Sequence, residues 1–140
     1  MHRMSRPTRL VAALLTLAVG ACADEGTDDA DNAFCTAMEQ VAARMEDDPG
    51  APPDEVRDNF EEVVTLLDQA EQNAPNAITD DVATFASAID DYVTALAAVD
   101  FDLAAIHSTA EGTQLAEETS HALTPDVVDY MTGTCDITLG

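Results

Sequence analysis

Between residues 33 and 137 the apolar positions recur at threes and fours, the period of a helix that buries one face. Over 33 to 46 the stripe is Phe34, Met38, Val41, Ala42 and Met45. Asp48-Pro49-Gly50-Ala51-Pro52-Pro53 interrupts it with turn-forming residues. A second stripe, Val56, Phe60, Val63, Val64 and Leu67, follows Asp54 and Glu55. Those two acids suit the electropositive first turn of a helix. This helix is expected to run to Asn73, where Ala74-Pro75-Asn76 breaks it. The third stripe is the clearest: Ile78, Val82, Phe85, Ile89, Tyr92 or Val93, Leu96 and Val99. It is a near-heptad seam of the kind that lines a bundle. Asp80, Asp81, Asp90 and Asp91 fall off the seam and are expected in solvent.

Beyond Asp100 the pattern weakens. Leu103, Ile106 and Ala110 continue a helical period, Gly112 interrupts it, and 111 to 120 is mostly polar. Leu123, Val127, Met131 and Cys135 step by four along one side of a final helix. Thr124 is a good N-cap and Pro125 a good first helical residue, so a new short helix is expected there in preference to one kinked helix. Gly133 is the expected stop, with Cys135 to Gly140 as an extended tail. Sustained period-two alternation is absent, so no sheet is expected. The fold class predicted is all-α: an up-and-down antiparallel four-helix bundle, with room for a short fifth helix.

The N-terminal segment follows a different rule. Met1 to Arg9 carries Arg3, Arg6 and Arg9 without an acid, and Leu10 to Val19 is apolar apart from Thr16. The run falls short of the roughly 20 apolar residues that span a bilayer. A basic start, a short apolar run and small residues after it describe a secretory signal peptide. Val19-Gly20-Ala21-Cys22 resembles a bacterial lipobox, in which the thiol takes a diacylglycerol and the chain is cut before the Cys. The expected organisation is a lipoprotein signal peptide over 1–21, a lipidated Cys22 with a disordered acidic linker over 22–32, and the helical domain over 33–137. The expected location is the extracytoplasmic face of the cell membrane, with contact to lipid only through the N-terminal anchor. Two or more acyl chains give stable anchoring where one does not.

Charge narrows the partners. Cutting before Cys22 leaves two bases, Arg44 and Arg57, against 28 acids, hence −26 where the whole chain carries −23. Such a surface repels phosphate backbones and anionic headgroups, which excludes nucleic acid and leaves an envelope protein or a cationic ligand as the expected partner. A monomer is expected. With Cys22 taken by lipid, Cys35 and Cys135 are the remaining thiols, and an oxidising compartment favours their pairing. Topology agrees, since the start of the first helix and the end of the last lie at the same end of a four-helix up-and-down bundle.

Motifs for chemistry are sparse. Glu118 and His121 make one Glu-x-x-His step, half of a di-iron carboxylate site. The other mature histidine, His107, has Ala104 where the second Glu would stand. Asp28, Asp29, Asp31 and Asn32 cluster, as do Asp100 and Asp102, but neither group follows the EF-hand pattern. Ser87, Ser108 and Ser120 lack a nucleophile motif, and the chain has no lysine. Met38, Met45 and Met131 fit helical stripes as core filler. Tyr92 and Tyr130 are expected at the core edge with the hydroxyl outward. No catalytic residue, metal site or cofactor is predicted.

Phe34-Cys35 at the opening of the first helix, Ala74-Pro75 with Ile78 and Asp81-Val82 between the second and third, and Tyr130 ahead of Cys135 together resemble small actinobacterial exported helical lipoproteins. The resemblance covers 33 to 137 and implies a disulfide-closed helical bundle without catalytic residues. Many of those chains end Cys-Gly-Ile where this one has Cys135-Asp136-Ile137, and their last helix is less interrupted. The function expected is non-enzymatic: a surface-tethered protein that binds a partner, or alternatively a small-ligand or metal-binding accessory of a transport or sensing system. An uncovered apolar patch would favour the first, a co-purified ligand would favour the second, and a deep pocket with converging ionisable groups would point to an enzyme instead.

Overall fold

The structure is a computed structural model that describes the backbone over residues 25–45 and 48–139, with side chains from Asp29 onward. The expected signal peptide over 1–21, the expected lipid site Cys22 and the Asp28 side chain lie outside the described residues. Six helices are present among those described, and no strand: α1 Glu25–Arg44, α2 Pro53–Asn73, α3 Thr79–Ala98, α4 Leu103–His107, α5 Ala110–Ala122 and α6 Pro125–Gly133. α1 packs on α2, α2 on α3, and α3 on α5, with α4 against α5 and α6 against α3. The predicted all-helical bundle is therefore the observed class. The four main helices are α1, α2, α3 and α5, and the weak region after Asp100 supplies two short helices instead of one.

The second and third stripes behave as their spacing predicts. α2 buries Val56, Val63, Leu66, Leu67 and Ala70. α3 buries Val82, Phe85, Ala86, Ile89, Tyr92 and Leu96, which settles the seam on Tyr92 while Val93 is half-buried. Asp80, Asp90 and Asp91 are exposed as expected. α1 departs in two ways. It begins at Glu25, so residues 25–32 of the expected linker are helical. It also ends at Arg44, one residue before Met45, and that leaves Met45 38% exposed.

The chain after α3 turns on backbone chemistry that apolar periodicity does not report. Asp100 (φ 55°) and Phe101 (φ 60°) are left-handed. The Asp100 N–H donates to Ala97 O at 3.2 Å and the Phe101 N–H to Leu96 O at 2.8 Å. This pair of bonds closes a helix C-terminus and is usually built on glycine. Asp102 then caps α4, accepting from the Ala105 N–H at 2.9 Å. Thr109 caps α5 in the same way, accepting from Gly112 N–H at 2.9 Å. Gly112 is thus inside the first turn of α5 and does not interrupt it. Its lack of a side chain serves contact: a Cβ there would collide with the Ile106 carbonyl oxygen.

α6 starts at Thr124-Pro125, so the break is real. The Thr124 side chain does not cap, however: its Oγ1 is buried without a hydrogen-bond partner. α6 stops at Gly133, yet no glycine among the described residues has positive φ. The left-handed residue is Asp136 (φ 55°), after which the Ile137 N–H reaches Met131 O at 3.0 Å. The left-handed conformation favours glycine, and here Asp136 adopts it.

The core has two parts. The larger contains Phe34, Met38, Leu67, Phe85, Val127 and Met131 among others, so α6 completes the part of the core built on Phe34 to Val41 of α1. The smaller gathers Tyr92, Leu96 and Ile106 with half-buried Phe60, Phe101 and Leu103 around them. Cys35 and Cys135 form a disulfide with Cα atoms 5.2 Å apart, joining α1 to the segment after α6. Beside it, the Phe34 and Tyr130 rings meet edge to face with centroids 5.6 Å apart.

Candidate functional site

Four helices of comparable length would close into a ring, with the first and last meeting along their lengths. Here α5 has 13 residues against 20 or 21 in α1, α2 and α3. α6 and the disulfide occupy the seam at one end. At the other end a cleft of about 780 Å³ opens, walled by the C-terminal part of α1 (Gln40, Ala43, Arg44), the N-terminal part of α2, and α5 (Ala116, Thr119, Ser120). The size falls within the roughly 300–1,000 Å³ of small-molecule sites.

The lining is layered. Buried Val56, Ile89 and Tyr92 lie at its base, with half-buried Phe60 and Leu103 beside them. The Phe60 and Tyr92 rings are tilted by 53° with centroids 5.8 Å apart. At the mouth stand exposed Asp48, Glu55, Asp58 and Glu62. Arg44 is the one arginine in the lining, and it is held: its Nη2 lies 2.6 Å from Glu62 Oε1, its Nη1 donates to Asn59 Oδ1 at 3.5 Å, and Asn59 Nδ2 donates back to Arg44 O at 2.8 Å. Met45 is the exposed large apolar residue among those described, and it too lines the cleft.

His107 closes one side. Its Nε2 is 3.1 Å from the Tyr92 hydroxyl. Tyr92 is thus buried, where a core-edge position was expected, and its hydroxyl meets the exposed His107. His107 also borders an adjoining hollow of about 390 Å³ with Thr113, Ala116, Glu117, Ser120 and His121. Ser120 Oγ donates to Ala116 O at 3.0 Å, and Ser108 Oγ donates to Ala105 O at 2.7 Å, so each hydroxyl serves its own helix.

Of the residues singled out from sequence, Met45, Tyr92, His107 and Ser120 line this cleft, whereas Glu118, His121 and the acidic clusters lie outside it. Glu118 accepts from Gln114 Nε2 at 2.8 Å on an exposed stretch of α5, and His121 is exposed. Asp100 and Asp102 terminate and start helices, as described above. Asp31 takes a hydrogen bond from the Tyr130 hydroxyl. Burial first, and that bond and the Asp31 charge next, hold the Tyr130 phenol above its ordinary range. Among the described residues no group of three or more His, Cys, Asp or Glu side chains is placed to hold a metal ion. No described helix is long and apolar enough to cross a membrane. The cleft itself escaped sequence reading. Its one forward signal was Met45, an apolar residue at the very end of its stripe.

Comparison of the chain with protein-family models, with characterised proteins and with solved structures gives no match.

Proposed function

We propose that this chain is an envelope lipoprotein, anchored through Cys22 on the extracytoplasmic face, that acts without catalysis by binding a small ligand in the α1–α5 cleft. On this reading it belongs with the actinobacterial exported helical lipoproteins that it resembles. The observation that carries the binding role is the cleft: an apolar base, two aromatic rings and an acidic mouth around a volume suited to a small molecule. A protein-docking face has less support, because large apolar exposure among the described residues is confined to Met45 at the cleft mouth. The geometry also fits a tether. The cleft lies at the C-terminal end of α1, the end farther along the chain from Cys22, so an anchored molecule presents it away from the lipid.

Two measurements test this. Mass spectrometry of the membrane fraction is expected to show an acylated N-terminal Cys22, and a mature chain starting elsewhere would remove the anchor. Titration with the neutral fluorophore N-phenyl-1-naphthylamine is expected to saturate at one site and to be lost in Ala43→Trp, which places an indole across the cleft from an exposed position. Binding unchanged by that substitution would remove the site.

A further inference from the structure

We infer that the ligand class is a small cationic amphiphile, an apolar body bearing an alkylammonium or quaternary ammonium group. This rests on the cleft being the binding site and adds its chemical selectivity.

Three independent features of the lining converge. The first is polarity by depth. Apolar side chains, Val56 and Ile89 among them, are buried at the base, whereas the carboxylates Asp48, Glu55 and Asp58 are exposed at the mouth. A ligand matching that order has its charged group near the rim and its hydrocarbon inside. The second is the sign of the uncompensated charge. Arg44 is already engaged by Glu62 and Asn59. Among the described residues, no basic group pairs with Asp48, Glu55 or Asp58. Asp48 does accept the Gly50 N–H at 3.0 Å, but that bond leaves its charge in place. An incoming cation therefore meets free carboxylates, and an incoming anion meets repulsion that the chain's −23 reinforces. The third is aromatic. Half-buried Phe60 lines the cleft on the same helix as Glu55 and Asp58, and the negative face of a ring attracts an ammonium desolvated against it. The same smaller core already holds one such pair: the Arg57 guanidinium carbon lies 5.2 Å from the centroid of Phe101.

The test uses three probes of nearly the same shape on the full chain with its disulfide formed. These are benzyltrimethylammonium, its neutral carbon isostere neopentylbenzene, and phenylmethanesulfonate, followed by 1H–15N NMR titration. The cation is expected to bind about tenfold tighter than the isostere, the size of a desolvated cation–π contact plus carboxylate attraction. Its shifts should centre on Phe60, Tyr92 and Glu55, and the sulfonate should not bind. The double substitution Glu55→Gln with Asp58→Asn is expected to remove most of the cation's advantage and to leave the isostere unchanged. Ala43→Trp should block both. Equal binding of cation and isostere would overturn the inference while leaving the cleft as a binding site. Failure of all three probes would count against the binding role itself. Cation binding with shifts elsewhere, insensitive to Ala43→Trp, would show surface counterion attraction only and overturn the inference.

Discussion

Removing the disulfide, by Cys35→Ala together with Cys135→Ala, probes how the two ends of the domain are held. The bond spans a separation of 100 residues. The chain-entropy treatment assigns a loop of that length about 4.7 kcal/mol, an upper figure because the open denatured chain keeps some structure. What would still hold the α6 segment is considerable. Val127 and Met131 are 0% and 2% exposed, Ile137 is 8% exposed, and Tyr130 packs on Phe34 and hydrogen-bonds Asp31. Each fully buried apolar side chain of this size contributes about 1.5–3 kcal/mol. α6 should therefore stay docked in the native state, and the loss should fall on global stability. We expect about 2–4 kcal/mol, which for a domain of this size lowers Tm by about 10–25 °C. Urea unfolding followed by circular dichroism gives the direct check. The midpoint should drop, and the m-value should rise because the uncrosslinked denatured chain exposes more surface. Hydrogen exchange separates this from local fraying, which would accelerate amides of 125–139 alone. A Tm within about 3 °C of the parent with an unchanged m-value would refute the loop-closure argument.

Gly112→Ala should lower stability by about 1–3 kcal/mol in thermal unfolding, since the new methyl meets Ile106 O, even though alanine is the better helix former by about 1 kcal/mol. Gly133→Ala, where a Cβ meets nothing within 4 Å, should be neutral or stabilising; a loss as large as at Gly112 would count against crowding as the cause. Asp136→Gly should raise stability by a few tenths to about 1 kcal/mol and Asp136→Val should lower it by about 1–2 kcal/mol, because φ is 55° there; the reverse order of Tm values would show that the Asp136 side chain matters more than its backbone.

Legibility in the sequence followed the strength of one signal. Where a helix buries a stripe on both neighbours, as α3 does with Val82, Phe85, Ile89 and Leu96, the apolar period alone places it. Where helices are short or end on polar groups, it does not. α4 and α5 meet at Gly112, chosen for what it lacks, and a missing side chain reads as an interruption in any periodicity scan. Asp100 and Asp102 cluster in sequence without a cation-loop pattern, and the structure gives the reason: one terminates a helix and the other caps the next. Met45 continued a valid stripe beyond the last helical turn of α1, so its spacing predicted burial that the chain direction no longer delivers. The Cys35–Cys135 pair was legible for another reason: elimination of the other thiols points to it without any helix boundary, and it holds although Cys35 lies in the middle of α1 and not at its start.

The cleft follows from those same illegible places. A single long last helix would have lain along α1 and closed the ring. The break at Leu123-Thr124-Pro125 turns α6 onto the core half that contains Phe34 and Met38, and the disulfide fixes it there. The seam is thereby filled at one end, and at the other the small side chains of Ala43 on α1 and Ala116 on α5 are part of the cleft lining. Closing the ring there would demand large apolar residues at both positions. The chain places small ones there, with carboxylates at the rim and aromatic rings beneath. On the proposed reading, that arrangement of small side chains, carboxylates and rings is what a preformed site requires.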